Sequence, residues 1–333
     1  MFNSQRFIKF PAIVFNVIFS VFFYLSFNVF AQSEYPSKPI KLVVPYATGG
    51  VSDTIGRVLS QSLGNILKQA VIVENKGGAG GTIGAAVVAK APADGYTLLL
   101  TSPPMIAVAP VLLKDLIYNN EDDFTPIGTI IVTPNVLVVN NNLPVKTFDE
   151  LVAYGKGAGK NNLSFASAGP GSTGHLSGQI LMNATGLNMV HVPYKSSGQA
   201  FPDVISGQVS MVFDSLPSAI GFIRGGLVRP LLVMSEKRSV SLPGVQTAKE
   251  AGFPSATMTF WMGIEGPAKM PKEIVYRLNL AIREAMNTPE MRQHIQPLGA
   301  EVYLTTPDEF KALRHSDIEK YGKLVKEMRL KPL

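Results

Sequence analysis

The chain has 333 residues, with 30 Lys and Arg against 24 Asp and Glu, four His and no Cys. The absence of cysteine excludes disulfides, cysteine metal ligands and a thiol-linked lipid anchor together. The modest basic surplus is spread along the chain, with no Lys/Arg run interleaved with aromatics, so nucleic acid is not an expected partner.

Residues 1–31 read as an export signal. Arg6 and Lys9 form a basic head, Ala12 to Phe30 are almost wholly apolar, and Val29 and Ala31 supply the small residues of a signal-peptidase site. The apolar stretch is long for a cleaved signal, which leaves a retained single-span anchor as the alternative. Export to the periplasm is expected in either case. The remainder, about 300 residues, is enough for two α/β lobes with separate cores.

Strands and helices then alternate. Residues 40–46 (IKLVVPY) form an apolar strand leading through Gly49-Gly50 into a helix over 52–67. A second strand lies at 70–75, a glycine turn and short helix at 76–91, and a strand at 96–102 after the Asp94-Gly95 turn. Residues 136–142 are the next strand, and Thr147 with Glu150 has the spacing of a helix capping box. A second strand–glycine–helix unit occupies 163–181, followed by a strand at 189–195, a helix at 197–205 and strands at 208–214 and 227–235. Residues 256–266 form a long extended run. Beyond it Ile274, Leu278, Ile282 and Ala285 repeat at helical spacing, as do Phe310, Leu313, Tyr321 and Leu324, with Thr306-Pro307-Asp308-Glu309 opening the last helix.

Short apolar strands between helices predict an α/β fold with mostly parallel sheets flanked by helices. Crossings near 136–142 and 256–262 divide the chain into a discontinuous first lobe (32–136 plus 259–333) and a second lobe (137–258), joined by two hinge strands, with a ligand cleft between them. The C-terminal helices are expected to return to the first lobe.

Both glycine turns open a helix, where unpaired N–H groups and the positive end of the dipole favour an anion. The second, Gly169-Pro170-Gly171-Ser172-Thr173-Gly174, formally matches the dinucleotide pattern G-x-G-x-x-G, so a nucleotide-dependent oxidoreductase is the alternative. The following strand ends His191-Val192-Pro193-Tyr194-Lys195 without the acid that would hold a ribose, which counts against it. Backbone amides cradle a carboxylate as readily as a phosphate. Asp53 stands in the first turn of its helix, either stabilising that end or fixing the turn and accepting from a ligand amine or water. Asp214 ends a strand as a helix cap or a cleft residue. Thr48, Ser172 and Thr173 bring hydroxyls beside the amides, and His175 is either a buried, bonded histidine or a ligand contact. Phe260 and Trp261 are core or an aromatic wall. The histidines lack metal spacing and G-x-S-x-G is absent, so neither a metal, nor a cofactor, nor catalysis is expected.

The ordered segments Pro45-Tyr46-x-x-Gly49-Gly50-x-x-Asp53, ENKGGAGGTIGA, PADGYTLLL, NVLVVN, SFASAGPGSTGHLSG, MVHVPYK, MVFDSLPS and LPGVQTAKEAGFP resemble the Bug-type receptors, the extracytoplasmic solute-binding components of tripartite tricarboxylate transporters. The resemblance spans about residues 34–333. It implies a two-lobed, type II-like periplasmic-binding-protein fold closing on a small mono- or dicarboxylate, held partly through ordered waters. It implies ligand contacts from Tyr46, Thr48, Gly49, Gly50 and Asp53 in one lobe and Ser167, Gly171, Ser172, Thr173 and His175 in the other. Ser102, Tyr194 and Asp214 would line the cleft. Membrane components of such a transporter, or a membrane sensor, are the implied partners, and a monomer is expected. The chain departs from the family pattern at Ala47-Thr48, where a proline pair is usual, at Pro170, which removes an N–H, and at Ser215. On this reading Gly171→Val fills the anion's position with modest loss of stability.

Overall fold

The computed structural model describes residues 35–160 and 162–327, so the expected export signal at 1–31 and residues 328–333 lie outside it. In β1 (Ile40–Val44) four of five aliphatic-rich positions are buried. The chain turns at Gly49, whose φ of +88° is left-handed and suits glycine, and enters α1 (Val51–Leu67). α1 buries Ile55, Leu59, Leu63 and Leu67 on one helical face. β2 (Val71–Asn75), α2 (Thr82–Ala89) and β3 (Thr97–Thr101) follow, and the strands pair in parallel in the order β2-β1-β3. A wide helical turn at Pro104–Val108 then runs straight into α3 (Ala109–Leu112).

β4 (Phe124–Asn140) starts well before the strand expected at 136–142, because Pro126 and Pro134 obscure its first half in the sequence. Next come α4 (Phe148–Lys156), β5 (Leu163–Ser167), α5 (Thr173–Thr185), β6 (Met189–Pro193), α6 (Ser197–Ser206), β7 (Met211–Ser215), α7 (Leu216–Arg224) and β8 (Val228–Val233). The chain finishes with β9 (Thr259–Pro267), α8 (Lys272–Met286), α9 (Pro289–Ile295), β10 (Glu301–Val302) and α10 (Pro307–Glu327).

β4 belongs to two sheets. Phe124–Pro134 pairs antiparallel with β9, which also pairs with β3, whereas from Asn135 onward β4 pairs with β7 and β8. β9 begins at Thr259 opposite Pro134, and just before it Met258 exchanges backbone bonds with Asn135 and Met234. The partner change therefore falls at 134/135 and 258/259. Each sheet has a parallel core, β2-β1-β3 or β6-β5-β7, while the crossing strands add antiparallel pairing, so the sheets are mixed. That departs from the mostly parallel expectation for a physical reason: a strand leaving one sheet for the next re-enters without a helical crossover.

α10 does not return to one sheet alone. Phe310 packs edge-on to Trp261 and under Gly263, where an added Cβ would lie 2.5 Å from its ring. Further along, Tyr321 and Val325 enter the core formed by Leu137, Phe165, Phe213 and Met258. That same core takes in Ala107, Val108 and Leu112, from the segment following β3.

Candidate functional site

The first glycine turn, residues 45–50, leaves the carboxyl end of β1 and meets α1 at Gly50, its N-cap. Among the described residues no side chain caps this helix, so the amides of its first turn find no acceptor within it. Thr48, Gly49 and Gly50 are exposed. The glycines of the 76–84 segment let it close on this turn: an added Cβ at Gly77 would sit 3.2 Å from the Ala47 amide, and one at Gly84 2.7 Å from Pro45 Cβ.

Asp53, only 3% exposed, organises the turn. Its Oδ2 accepts from the Gly49 amide at 2.9 Å and from Arg57 Nε at 3.0 Å. Its Oδ1 receives Asn75 Nδ2 at 2.9 Å and lies 3.0 Å from Arg57 Nη2. Asn75 also donates to the Tyr46 carbonyl at 3.1 Å, tying the end of β2 to the turn. Hydrogen bonding to Arg57 leads the causes that hold the Asp53 carboxyl down to about 2. Of its possible roles, Asp53 therefore takes that of fixing the turn. Arg57 and Asn75 escaped the sequence reading, though an Arg four residues after an Asp on a helix, and a polar residue at a strand's carboxyl end, were signals.

Tyr46 meets Ser102 at 2.8 Å, and burial raises its phenol, leaving a neutral hydroxyl. From Ser102, which is 1% exposed, the chain runs to Val108 and Leu112, and these pack on the second glycine turn. One short segment thus has the first turn at its start and the second at its end.

In the second turn Ser172 caps α5, accepting from the His175 amide at 3.2 Å and donating to the Gly169 carbonyl at 2.7 Å. The fully buried Ser167 braces Gly169, taking its amide at 3.1 Å. His175 Nδ1 accepts from the Gly171 amide at 3.1 Å, and its ring stacks on His191 at 4.1 Å between centroids. His191 Nε2 lies 2.8 Å from Ser167 Oγ. Burial lowers both imidazoles, His191 to about 4 with help from His175, so both are neutral at pH 7. His175 and Ser167 thus brace the turn from within. The Ser167–His191 couple has the separation of a nucleophile and its base, a pairing the sequence did not signal. Ser167 is sealed from any substrate, however.

Gly171 has φ +76°, and an added Cβ would lie 2.6 Å from Leu112 Cδ1 and 3.3 Å from Val108 Cγ1. A valine there would meet the 108–112 segment, which corrects the expectation that it would fill the anion's place at small structural cost. Gly174 allows α5 to press against β7, since its Cβ would overlap the Phe213 carbonyl. Thr173 is buried near Asn135, a residue at the partner change of β4 whose Nδ2 donates to Ser177 at 2.9 Å.

The remaining predicted residues are engaged locally. Tyr194 donates to Asp203 at 2.5 Å, and burial with that carboxylate pushes its phenol up to about 12. Asp203, the first acid after β6, is thereby occupied, which weakens the dinucleotide alternative further. Asp214 accepts the Ser215 amide at 2.7 Å. Trp261 is core, donating to Asp317 at 2.6 Å.

At the second turn Ser167, His175 and Ser172 take the amides of Gly169, Gly171 and His175, whereas the first turn of α1 presents main-chain donors that no side chain caps. This is chemistry for gripping an anion. No group of three or more His, Cys, Asp or Glu that could hold a metal occurs among the described residues, and no described helix is long and apolar enough to cross a membrane.

A family model for the tripartite tricarboxylate transporter family receptor matches residues 55–330. Protein BugT of Bordetella pertussis is 34% identical over 298 residues, covering 89% of this chain and 91% of BugT. Rpa4515 of R. palustris, solved with adipate, superposes with a TM-score of 0.84 at 31% identity, covering 90% of this chain and all of that one. MatC from Rhodopseudomonas palustris, solved with bound malate, gives 0.79 at 31% identity, over 87% of this chain and all of that one. The two-lobed periplasmic-binding fold, the uncapped amides and these likenesses agree: the chain belongs to the tripartite tricarboxylate transporter receptors, the Bug or TctC family, whose members bind solutes rather than catalyse reactions.

Proposed function

We propose that the chain captures a small mono- or dicarboxylate in a cleft between two lobes, in the periplasm, and presents it as a monomer to the membrane components of a tripartite transporter or to a sensor. The lobes divide at 134/135 and 258/259, where β4 and β9 change partners. One ligand carboxylate lies on the first-turn amides of α1 and α5, assisted by Thr48, Ser172 and Thr173 and by ordered waters. Gly49, Gly50 and Gly171 shape the turns, Tyr46 and Ser102 floor the cleft, and Tyr194 and Asp214 border it. The observation that supports this reading is the start of α1, beside the turn that Asp53 holds, where no side chain caps the helix and its first-turn amides are left to a guest. Adipate and malate in the related structures support a carboxylate guest.

Isothermal titration of the chain lacking residues 1–31 tests the proposal against mono- and dicarboxylates, their amides and neutral sugars. Saturable binding of at least one carboxylate, lost with its amide, is expected. Binding of a neutral sugar with every carboxylate silent overturns it.

A further inference from the structure

The first glycine turn poses an electrostatic problem. On the function proposed above, an anion sits at the start of α1, yet the side chain organising that turn is a buried carboxylate, 2.9 Å from the Gly49 amide. An uncompensated negative charge so close to the guest opposes binding by like-charge repulsion. Arg57 answers this charge. It approaches both oxygens of Asp53 at 3.0 Å in a two-pronged fork, and Nη2 also donates to Asn75 Oδ1 at 3.1 Å, which fixes the guanidinium in place. Two further cations of these strands, Lys41 in β1 and Lys76 just after β2, are paired with Glu74 at 2.7 and 2.8 Å. Arg57 itself is half-exposed and reaches the turn through Asp53.

We propose that Arg57 is a positioning residue for carboxylate recognition: it cancels the charge of Asp53, so that the turn Asp53 organises can receive an anion. Asp53 supplies geometry and Arg57 removes the electrostatic cost of that geometry.

The test titrates adipate, malate and adipamide into the chain and its variants at low and high salt, with circular dichroism confirming folding. Arg57→Gln is expected to weaken carboxylate binding about tenfold, a deficit that shrinks with salt, while Arg57→Lys keeps most of the affinity. Asp53→Asn, which leaves Arg57 as an uncancelled cation, is expected to tighten binding. Asp53→Asn/Arg57→Gln should return close to the unmodified chain. A merely structural role predicts the opposite order: both single variants weaker, the double weakest, and no salt dependence. That result overturns the proposal. Should Arg57→Gln fail to fold, Asp53→Asn and Arg57→Lys still separate the two outcomes. An unmodified chain that binds neither carboxylate defeats the underlying reading of the turn, and the proposal with it.

Discussion

Two residues show how little the polar character of a position says about where its polarity is spent. His175 presents a ring nitrogen near the second turn, but that nitrogen holds the Gly171 amide. Because burial depresses His175 and His191, the unfolded chain takes up protons on these rings before the folded one does. The associated stability is full above about pH 6.5 and falls as pH drops toward about 4, the value to which His191 is lowered. Thermal unfolding across that window should show the decline, and His191→Gln should flatten it. Asp53 follows the same direction in a more acidic window. Its carboxyl is held near 2, so its stabilisation is complete above about pH 4 and disappears as pH falls through about 2. For Gly171→Ala, left-handed backbone and the contact with Leu112 should together cost about 1–3 kcal/mol. Chemical denaturation checks this, and Leu112→Ala in the same chain should recover the steric share.

At the scale of elements, the helix starts behave as their sequences announce. Glu309 and Thr306 form the reciprocal box, at 2.7 and 3.2 Å, so Thr306→Ala should cost about 1 kcal/mol in unfolding free energy. What no local pattern announces is the span of α10. Its Arg314 lies 2.7 Å from Glu265 of β9 and donates to the Asn120 carbonyl, with both charged side chains buried. Burial raises the Glu265 carboxyl, opposed by Arg314. Removing one partner strands the other without water, so Arg314→Met should destabilise by about 3–5 kcal/mol in denaturant melts. Adding Glu265→Gln should return part of that loss. β4 likewise exceeded its local signal, since a stretch with prolines at 126 and 134 is held as an extended ribbon by its pairing with β9.

For the whole molecule, α10 and the 102–112 segment each run between the two sheets, so any closing motion must carry or bend them. A carboxylate preferring the closed form shifts the population toward it and raises the melting temperature with ligand concentration. Small-angle scattering should then show a smaller radius of gyration with a bound carboxylate than without, and an unchanged radius would count against closure.

The amino-acid sequence determined the alternation of strands and helices and the two glycine turns with their helix starts, because these rest on apolar periodicity, capping residues and glycine at left-handed positions, while its ordered motifs carried the resemblance to the family. Each acts within a few residues of chain. Tertiary structure alone decided which donors at the turns are already taken, that Asp53 is matched by Arg57 and Asn75, that Gly171 backs onto Leu112, and that α10 serves both cores. Those outcomes depend on contacts between segments far apart in sequence, where the folded chain, and no local pattern, sets the distance between an oxygen and its hydrogen-bond donor.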